Sequence, residues 1–295
     1  LTILDRAFRW IEQTAGVSLS QDTIPLDDSE AFALLASGNV TGIFQVESSG
    51  MRRILRDMQA TAYKDIVALL ALYRPGPMQF IPNYIDRKFG REEITYRHPS
   101  LEPILAETYG ILVYQEQIIQ IATDLARYTA PEADLMRRAV GKKKQKEIDE
   151  QHAKFVSGAV ANGIPRETAE KIFDDIDKFA NYGFNKPHSA SYAVITLQTA
   201  YLKAHYPVEF MTALLSVERG NLERLALIVA ECRRLGIQVR PPDVNRSEVD
   251  FAIEAGTADS PIGRDQLLGA SDLAIRFGLG AIKNVGEGPA GIIVA

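Results

Sequence analysis

Cysteine is nearly absent from this sequence of 295 residues, which contains only Cys232. A single thiol excludes an internal disulfide and any zinc site built from several cysteines, and it fits a reducing compartment. Long hydrophobic runs are missing as well, because no uninterrupted apolar stretch approaches the roughly 20 residues that span a bilayer. The first residues also lack a basic stretch followed by an apolar segment. We therefore expect neither a membrane span nor an export signal.

An excess of positive charge is also missing, since 33 basic and 38 acidic side chains give a formal charge of -5. Evenly spread charge of this sign would disfavour a nucleic-acid partner, because neutralisation of phosphates drives such binding. The distribution is uneven, however. One short stretch without any acidic residue contains Arg137, Arg138, Lys142, Lys143, Lys144 and Lys146. The acidic cluster Asp174, Asp175 and Asp177 lies on a later predicted helix, where a solvated face is expected. The sequence thus predicts one local basic site.

The composition, with 46% hydrophobic and 24% charged residues, is that of a globular protein with a sizeable core. Apolar residues recur at helical spacing through most of residues 1 to about 235. One more helix, a proline-containing extended stretch and alternating apolar residues follow after about residue 220. The predicted fold class is therefore mainly α, with a large helical domain and then a small mixed segment. The sequence begins without methionine and stops within an apolar run, so we expect a piece of a longer protein.

Local signals predict the ends of two helices in the first quarter of the sequence. Asp27 is the expected cap of a short helix, with the side chain of Glu30 pointing back to it. A later helix is predicted to start at Thr61. It must end before the Arg-Pro-Gly-Pro sequence at 74–77, because proline cannot continue it.

Similar signals delimit the helices in the middle of the sequence. Thr129 and Glu132 form a predicted capping box at the start of a helix. Gly141 is the expected stop of that helix. Residues 181–189 are predicted to form a loop, followed by a buried helix over 190–205.

Two adjacent arginines close the helix that is predicted to end at Gly141. Arg137 and Arg138 place forked donors near one point, and the lysines at 142–144 add mobile cations, an arrangement that suits a triphosphate or a nucleic-acid backbone. The alternative is that cations in a last turn only complement the helix dipole. That effect explains one or two charges, so the density of this cluster favours phosphate binding.

The sequence GFNKPHS at 183–189 gathers a glycine, an aromatic ring, an amide, a cation, an imidazole and a hydroxyl. These groups precede a predicted helix N-terminus, where unpaired backbone N–H groups favour anions, so a nucleotide site is one interpretation. The other is a capping loop, in which Ser189 caps the helix and Pro187 stiffens the turn. Both interpretations stay open on the residues alone.

Asp27 and Asp28 are candidate ligands of a magnesium site. Neighbouring carboxylates on one loop bridge metal ions poorly, and the chain offers no obvious partner pair, so capping is preferred. A metal-dependent phosphohydrolase that binds Mg²⁺ at these residues is kept as a hypothesis. A second hypothesis is a stand-alone helical nucleic-acid-binding or adaptor module that uses a basic helix and a hairpin.

The sequence IKNVGEGPA at 282–290 resembles the hairpin of a helix-hairpin-helix module, whose tight turns present backbone N–H groups to a DNA phosphate. Asn284 replaces the usual first glycine, and asparagine tolerates the left-handed conformation better than most residues. Lys283, Gly286 and Gly288 are the residues expected at the DNA. The alternative is a simple glycine-rich connector.

Five segments together resemble the fingers of the C-family of bacterial replicative DNA polymerases, the polymerase III alpha subunits. They are GIFQVES at 42–48, ALYRPGP at 71–77, YQEQ at 114–117, MRRAVGKKK at 136–144 and YGFNKPHSA at 182–190. Their order and spacing match from about residue 24 to 218, and the match resumes at the hairpin. Each segment alone is weakly specific, whereas the combination is highly specific.

Members of that family add a deoxynucleotide to a primer 3′ end, with Mg²⁺ ions held by aspartates of the palm. The resemblance implies a set of nucleotide-binding residues and a set of DNA-binding residues. Arg137 and Arg138 would contact the triphosphate, Lys186, His188 and Ser189 would line its pocket, and Lys142, Lys143 and Lys144 would lie near DNA phosphates. Pro187 stands where a small polar residue is expected.

The resemblance also implies the organisation of the chain: a helix trailing from the palm over 1–24, fingers over 25–220, and a connector with a partial helix-hairpin-helix region over 221–295. The palm aspartates precede this segment in the family. We therefore expect no catalytic residue, no bound metal and no polymerase activity in the fragment alone. The implied partners are template-primer DNA, deoxynucleoside triphosphates and, through the full-length parent, a sliding clamp and other replisome subunits in the cytoplasm.

Overall fold

The computed structural model describes residues 1–141, 145–180, 182–256 and 273–295. The mainly α class is confirmed, because helices make up most of the described chain and strands are confined to its last quarter. Among the described residues, no helix combines the length and the apolar content required to cross a membrane.

The helices follow one another with short connections. In chain order they are α1 (Thr2–Ala15), α2 (Ser29–Ser37), α3 (Ser49–Met58), α4 (Tyr63–Leu72), α5 (Ile81–Lys88), α6 (Glu102–Leu105), α7 (Gln115–Ala126), α8 (Ala130–Gly141), α9 (Gln145–Ala161), α10 (Arg166–Ala180), α11 (Lys186–His205), α12 (Pro207–Glu218), α13 (Leu222–Arg234) and α14 (Glu287–Val294). Single turns of 3₁₀ helix occur at Gln21–Thr23, Pro77–Phe80, Pro99–Leu101, Ala106–Thr108 and Leu279–Ala281.

Three short strands form a small sheet: β1 (Val239–Arg240), β2 (Ala252–Ala255) and β3 (Leu273–Arg276). Their order across the sheet is β1-β3-β2, so β3 lies in the centre. β1 pairs with β3 in parallel, and β2 pairs with β3 antiparallel. The predicted mixed segment after the helical part is therefore present.

The start of α2 corrects one sequence-based prediction. Asp28, rather than Asp27, is the cap, since its Oδ1 accepts the Ala31 N–H at 2.7 Å. Either of two adjacent aspartates satisfies the sequence rule, and only the backbone conformation decides between them. Likewise, α4 begins at Tyr63 and not at Thr61.

The chain divides into two compact units: residues 1–61 with 194–295, and residues 62–193. In the first unit α1 and α12 pack together, and Leu4, Ile11 and Phe210 are fully buried. Cys232 also lies in that core, where burial raises the pKa of its thiol to about 12. The three predicted domains remain a prediction, since units defined by contacts need not follow continuous segments.

The core of the second unit is built by α7, α8, α9 and α10. Phe155, Phe173 and Ile118 are buried at its centre, with the two phenylalanine rings 5.6 Å apart. This packing fixes the positions of two parts of the unit that form the candidate site described below. They are the C-terminal half of α8 and the first residue of α7.

Candidate functional site

The first feature of the candidate site is the start of α11, which corrects the predicted loop. The helix begins at Lys186, so Lys186, His188 and Ser189 lie in its first turn and not before it. Asn185 Oδ1 accepts the His188 N–H at 3.1 Å, as a capping residue does. Pro187 is compatible with this position because the first turn needs no N–H donor there.

The chain just before α11 is attached to the start of α7. Tyr114 and Phe184 form a parallel β-bridge, in which the Gln115 N–H donates to the Phe184 carbonyl at 2.9 Å and the Phe184 N–H donates to the Val113 carbonyl at 3.0 Å. Gln115 Nε2 adds a hydrogen bond to the Gly183 carbonyl at 3.0 Å. The YQEQ and YGFNKPHSA segments are therefore parts of one structure.

Glu116 holds the first turn of α11 from the same side. Its Oε1 accepts from Asn185 Nδ2 and its Oε2 accepts from the Lys186 backbone N–H, each at 3.0 Å. A carboxylate at a helix N-terminus satisfies an unpaired donor and complements the helix dipole. The start of α11 is thus fixed by a residue from a distant segment.

A third segment reaches this structure through Arg74. Its Nη2 donates to the Tyr182 carbonyl at 2.7 Å, and its Cζ lies 4.4 Å from the centre of the Phe184 ring. Burial lowers the pKa of this guanidinium. Gly76, with φ of 98°, passes so close to the Tyr182 ring that a Cβ atom would overlap it. The Arg-Pro-Gly-Pro turn therefore supports the segment before α11.

The two arginines of α8 share one carboxylate. Arg137 Nε and Nη2 lie 2.9 and 2.8 Å from Asp134 Oδ1, and Arg138 Nη2 lies 2.8 Å from Asp134 Oδ2. The hydrogen bond from Arg137 is the main reason that the pKa of Asp134 is lowered. The side chain of Arg138 is 61% exposed and that of Arg137 is 20% exposed, so Arg138 is the more accessible to a ligand.

Arg137 also makes the contact that links α8 to the segment before α11. Its Nη1 donates to Gln115 Oε1 at 3.1 Å, while Gln115 Nε2 donates to Gly183. The acidic cluster of α10 does not supply the described partners of these arginines. Asp175 instead pairs with Arg97.

The remaining predicted nucleotide residues differ in availability. Lys186 Nζ pairs with both carboxylate oxygens of Glu107, at 2.8 and 2.7 Å. His188 is exposed, and its ring stacks on Tyr192 with 4.5 Å between ring centres. Ser189 is buried and its hydroxyl donates to the Lys186 carbonyl within the helix, so it packs the first turn.

The predicted DNA-binding residues fall into two groups. Lys142, Lys143 and Lys144 lie outside the described residues. At the hairpin, Asn284 adopts φ of 71°, which confirms the left-handed conformation expected of the residue that replaces glycine. Lys283 and Gly286 are exposed on this turn, and Gly288 is exposed in the first turn of α14, which begins directly after Gly286.

The GIFQVES segment at 42–48 lies in the first compact unit, where residues of α11 that belong to the same unit hold it. Thr196 Oγ1 donates to the Phe44 carbonyl and the Phe44 N–H donates to Thr199 Oγ1, both at 3.1 Å. Lys203 Nζ donates to the Thr41 carbonyl at 2.7 Å. These hydrogen bonds fix the backbone of the motif.

Among the described residues, Asp27 and Asp28 do not join other acidic side chains in a group that could hold a metal ion. Within the described ranges, no group of three or more His, Cys, Asp or Glu side chains is arranged to hold a metal ion. Asp28 also contacts His205 Nε2 at 3.0 Å. Partial burial raises its pKa, but hydrogen bonds from Ala31 and His205 outweigh this and leave it below the ordinary value.

Sequence reasoning missed the supporting residues Arg74, Glu107, Gln115 and Glu116. Arg74, Gln115 and Glu116 lie in segments that carry the family resemblance, and that resemblance was the available signal of their importance. Their roles depend on contacts across tens of residues, and the sequence does not reveal such pairs.

Comparison with protein families identifies the class to which this arrangement belongs. A model of the bacterial DNA polymerase III alpha subunit finger domain matches residues 1–163, and a helix-hairpin-helix model matches residues 236–295. The first match covers more than half of the chain, which therefore belongs to the bacterial DNA polymerase III alpha subunit finger-domain family.

Individual relatives agree with this assignment. The chain is 49% identical to the DNA polymerase III subunit alpha of Thermus aquaticus over 292 residues, and 48% identical to that of Caulobacter vibrioides over 286 residues; each alignment covers 97% of the chain. It is 44% identical to the Escherichia coli K12 subunit over 305 aligned positions, which cover the whole chain. These alignments cover 22%, 23% and 25% of the respective relatives, so the chain spans about a quarter of their length.

Proposed function

We propose that the chain is the fingers part of a DNA-directed DNA polymerase and that it binds the incoming deoxynucleoside triphosphate during primer extension. The observation that carries this proposal is the connection from Arg137 through Gln115 to Gly183, which joins the basic end of α8 to the segment that leads into α11. Two segments with phosphate-binding chemistry therefore belong to one local structure.

The chemistry of these groups suits a triphosphate. Arg138 and Arg137 supply forked donors for charge-assisted hydrogen bonds, and Lys186 supplies a point charge. His188 adds an exposed ring beside the helix start. Ser189 would act by holding the first turn, since its hydroxyl bonds within the helix.

DNA contacts are proposed for two other groups. Lys142, Lys143 and Lys144 would lie near backbone phosphates, and Lys283, Gly286 and Gly288 would present the hairpin to template-primer DNA. A sliding clamp and other replisome subunits would be partners of the full-length protein, which we place in the cytoplasm by analogy with its relatives. Neither group carries sequence specificity in this proposal.

The chain's own residues would orient the nucleotide and offset the charge of its phosphates. Mg²⁺ held by palm aspartates would stabilise the attacking and leaving oxygens in the full-length enzyme. Donors that position a triphosphate leave the developing charge at the α-phosphate largely unstabilised without those carboxylates. Residues 1–295 alone are therefore expected to show no primer extension at any Mg²⁺ concentration, and measurable extension would contradict this assignment of roles.

The test of nucleotide binding is Arg138→Ala in the polymerase subunit that contains this chain. We expect a loss of roughly 1.5 to 3 kcal/mol in nucleotide use, the value of a hydrogen bond to a charged group. Binding of primer-template should change far less, because many contacts share it. Steady-state nucleotide KM and kcat, with a separate DNA titration, measure both effects.

Arg166→Ala is the matched control, since Arg166 is an exposed arginine of α10 whose pair with Glu170 is long, at 3.9 Å. It should leave nucleotide KM unchanged. If Arg138→Ala behaved like this control, the arginine would serve only its own helix, and an adaptor or general nucleic-acid-binding module would become the better account.

A further inference from the structure

Gln115 lies where three segments of the candidate site meet. Its Oε1 accepts from Arg137 Nη1 at 3.1 Å, its Nε2 donates to the Gly183 carbonyl at 3.0 Å, and its backbone N–H donates to the Phe184 carbonyl at 2.9 Å. The side chain is partly buried at the first position of α7. One amide thus connects α8 with the segment that leads into α11.

Only a side chain with both an acceptor and a donor makes these two contacts at once. A carboxylate would keep the bond from Arg137 but would face the Gly183 carbonyl without a proton to donate. An apolar side chain would lose both. The approach to Gly183 is also close, because a Cβ atom on that glycine would lie 3.2 Å from Gln115 Cγ.

Gln115 completes the orientation of the Arg137 guanidinium. Asp134 binds Nε and Nη2 of Arg137 from within α8, so the acceptor at Gln115 fixes the remaining nitrogen. A guanidinium held from two sides loses less conformational freedom when it binds an anion.

We propose that Gln115 is a positioning residue of the nucleotide site, which holds Arg137 and the segment before α11 in a fixed relation. It acts through these neighbours and does not itself touch the nucleotide. The positioning role in nucleotide use rests on the proposed function. The coupling of Arg137 to the segment before α11 through Gln115 does not depend on a nucleotide.

The coupling is tested first without nucleotide, by hydrogen exchange in the full-length subunit. Gln115→Met keeps the side-chain length and removes both polar contacts, so amide exchange over residues 182–186 should accelerate by roughly tenfold. Gln120→Met, an exposed glutamine of the same helix, is the control and should change nothing there. Unchanged exchange in Gln115→Met would overturn the proposal.

The second test is a double-mutant cycle on nucleotide KM. Gln115→Met should raise this KM by roughly tenfold, as for one lost hydrogen bond to a charged group, while kcat and primer-template affinity change less than about twofold. Combined with Arg138→Ala, the two effects should multiply, because those residues share no described contact. Combined with Arg137→Ala, the effect of Gln115→Met should become clearly smaller, because the bond to Arg137 is already absent and only the bond to Gly183 remains to be lost.

The two proposals fail in different ways. If Arg138→Ala leaves nucleotide use intact, the nucleotide site is wrong even when exchange at 182–186 responds to Gln115→Met. Suppose instead that Arg138→Ala raises the nucleotide KM, and that the effects of Gln115→Met and Arg137→Ala on this KM multiply fully. Gln115 then does not act through Arg137, and only the positioning role is refuted.

Discussion

Lys186 Nζ lies 2.8 and 2.7 Å from the two carboxylate oxygens of Glu107, so the cation in the first turn of α11 already has an anionic partner. The two side chains are 39% and 36% exposed. Pairs with this exposure contribute about 0–1 kcal/mol. Under the proposed function, we therefore expect a bound triphosphate, with its higher charge, to replace Glu107 as the partner of Lys186.

Glu107→Gln should accordingly favour nucleotide binding. Removal of the carboxylate frees Lys186 and removes a like charge beside the phosphates, and we expect nucleotide KM to fall by roughly fivefold, or about 1 kcal/mol. Steady-state kinetics at low ionic strength measure the change, and added salt should reduce it. A raised KM would mean that Glu107 is needed to orient Lys186.

Gly76→Ala should disturb the segment before α11. Gly76 adopts φ of 98° against the Tyr182 ring, so alanine adds an overlap to the cost of the left-handed backbone. Gly163→Ala is the matched control, because Gly163 has φ of 89° and open space around the missing Cβ. Denaturant unfolding should show a loss of about 1–2 kcal/mol for the control and a further loss of about 1–3 kcal/mol for Gly76→Ala. Equal losses would show that Tyr182 moves away without cost.

The start of α8 has a testable dependence on pH. Glu132 accepts from Lys154 Nζ at 2.7 Å and from the Thr129 N–H and hydroxyl at 2.8 Å, and these bonds, that of Lys154 first, lower its pKa from 4.5 to about 2. A carboxylate with a lowered pKa in the folded state stabilises the fold above pH 4.5, and this contribution is lost as the pH falls towards 2.

Glu132→Gln should therefore flatten the fall of unfolding free energy between pH 4.5 and 2 relative to the unmodified chain. Glu150→Gln, an exposed position of α9, serves as the control and should leave the slope unchanged. NMR titration of the Glu132 carboxyl checks the cause directly, since Lys154→Met should raise its pKa towards the ordinary value. A slope identical in all variants would refute the role of this capping box.

Much of the fold was predictable because helix ends are encoded by neighbouring residues. Glu132 accepts from the Thr129 N–H as the predicted capping box requires, and Asn284 adopts the left-handed conformation expected at the hairpin. The start of α11 was predicted four residues too late. Its cap, Asn185, is in turn held by Glu116 from a segment about 70 residues earlier, and such tertiary support leaves no local signal.

The charged residues of the candidate site could be predicted from the sequence, but the contacts between its segments could not. The density of cations around Arg137 and Arg138 indicated phosphate chemistry, but nothing in the spacing showed that Gln115 joins Arg137 to Gly183. Pairing between distant segments depends on how helices pack, and one sequence does not specify it. The resemblance to a family indicated which segments mattered without saying what they contact.

The central claim is that the basic end of α8 and the start of α11 hold the incoming triphosphate. The most direct measurement is the structure of the polymerase subunit that contains this chain, with primer-template DNA and a bound deoxynucleoside triphosphate. We predict that guanidinium nitrogens of Arg138 and Arg137 lie about 2.7–2.9 Å from phosphate oxygens, as in charge-assisted hydrogen bonds, and that Lys186 turns from Glu107 to the triphosphate. A triphosphate bound without contact to either arginine or to the first turn of α11 would contradict the account.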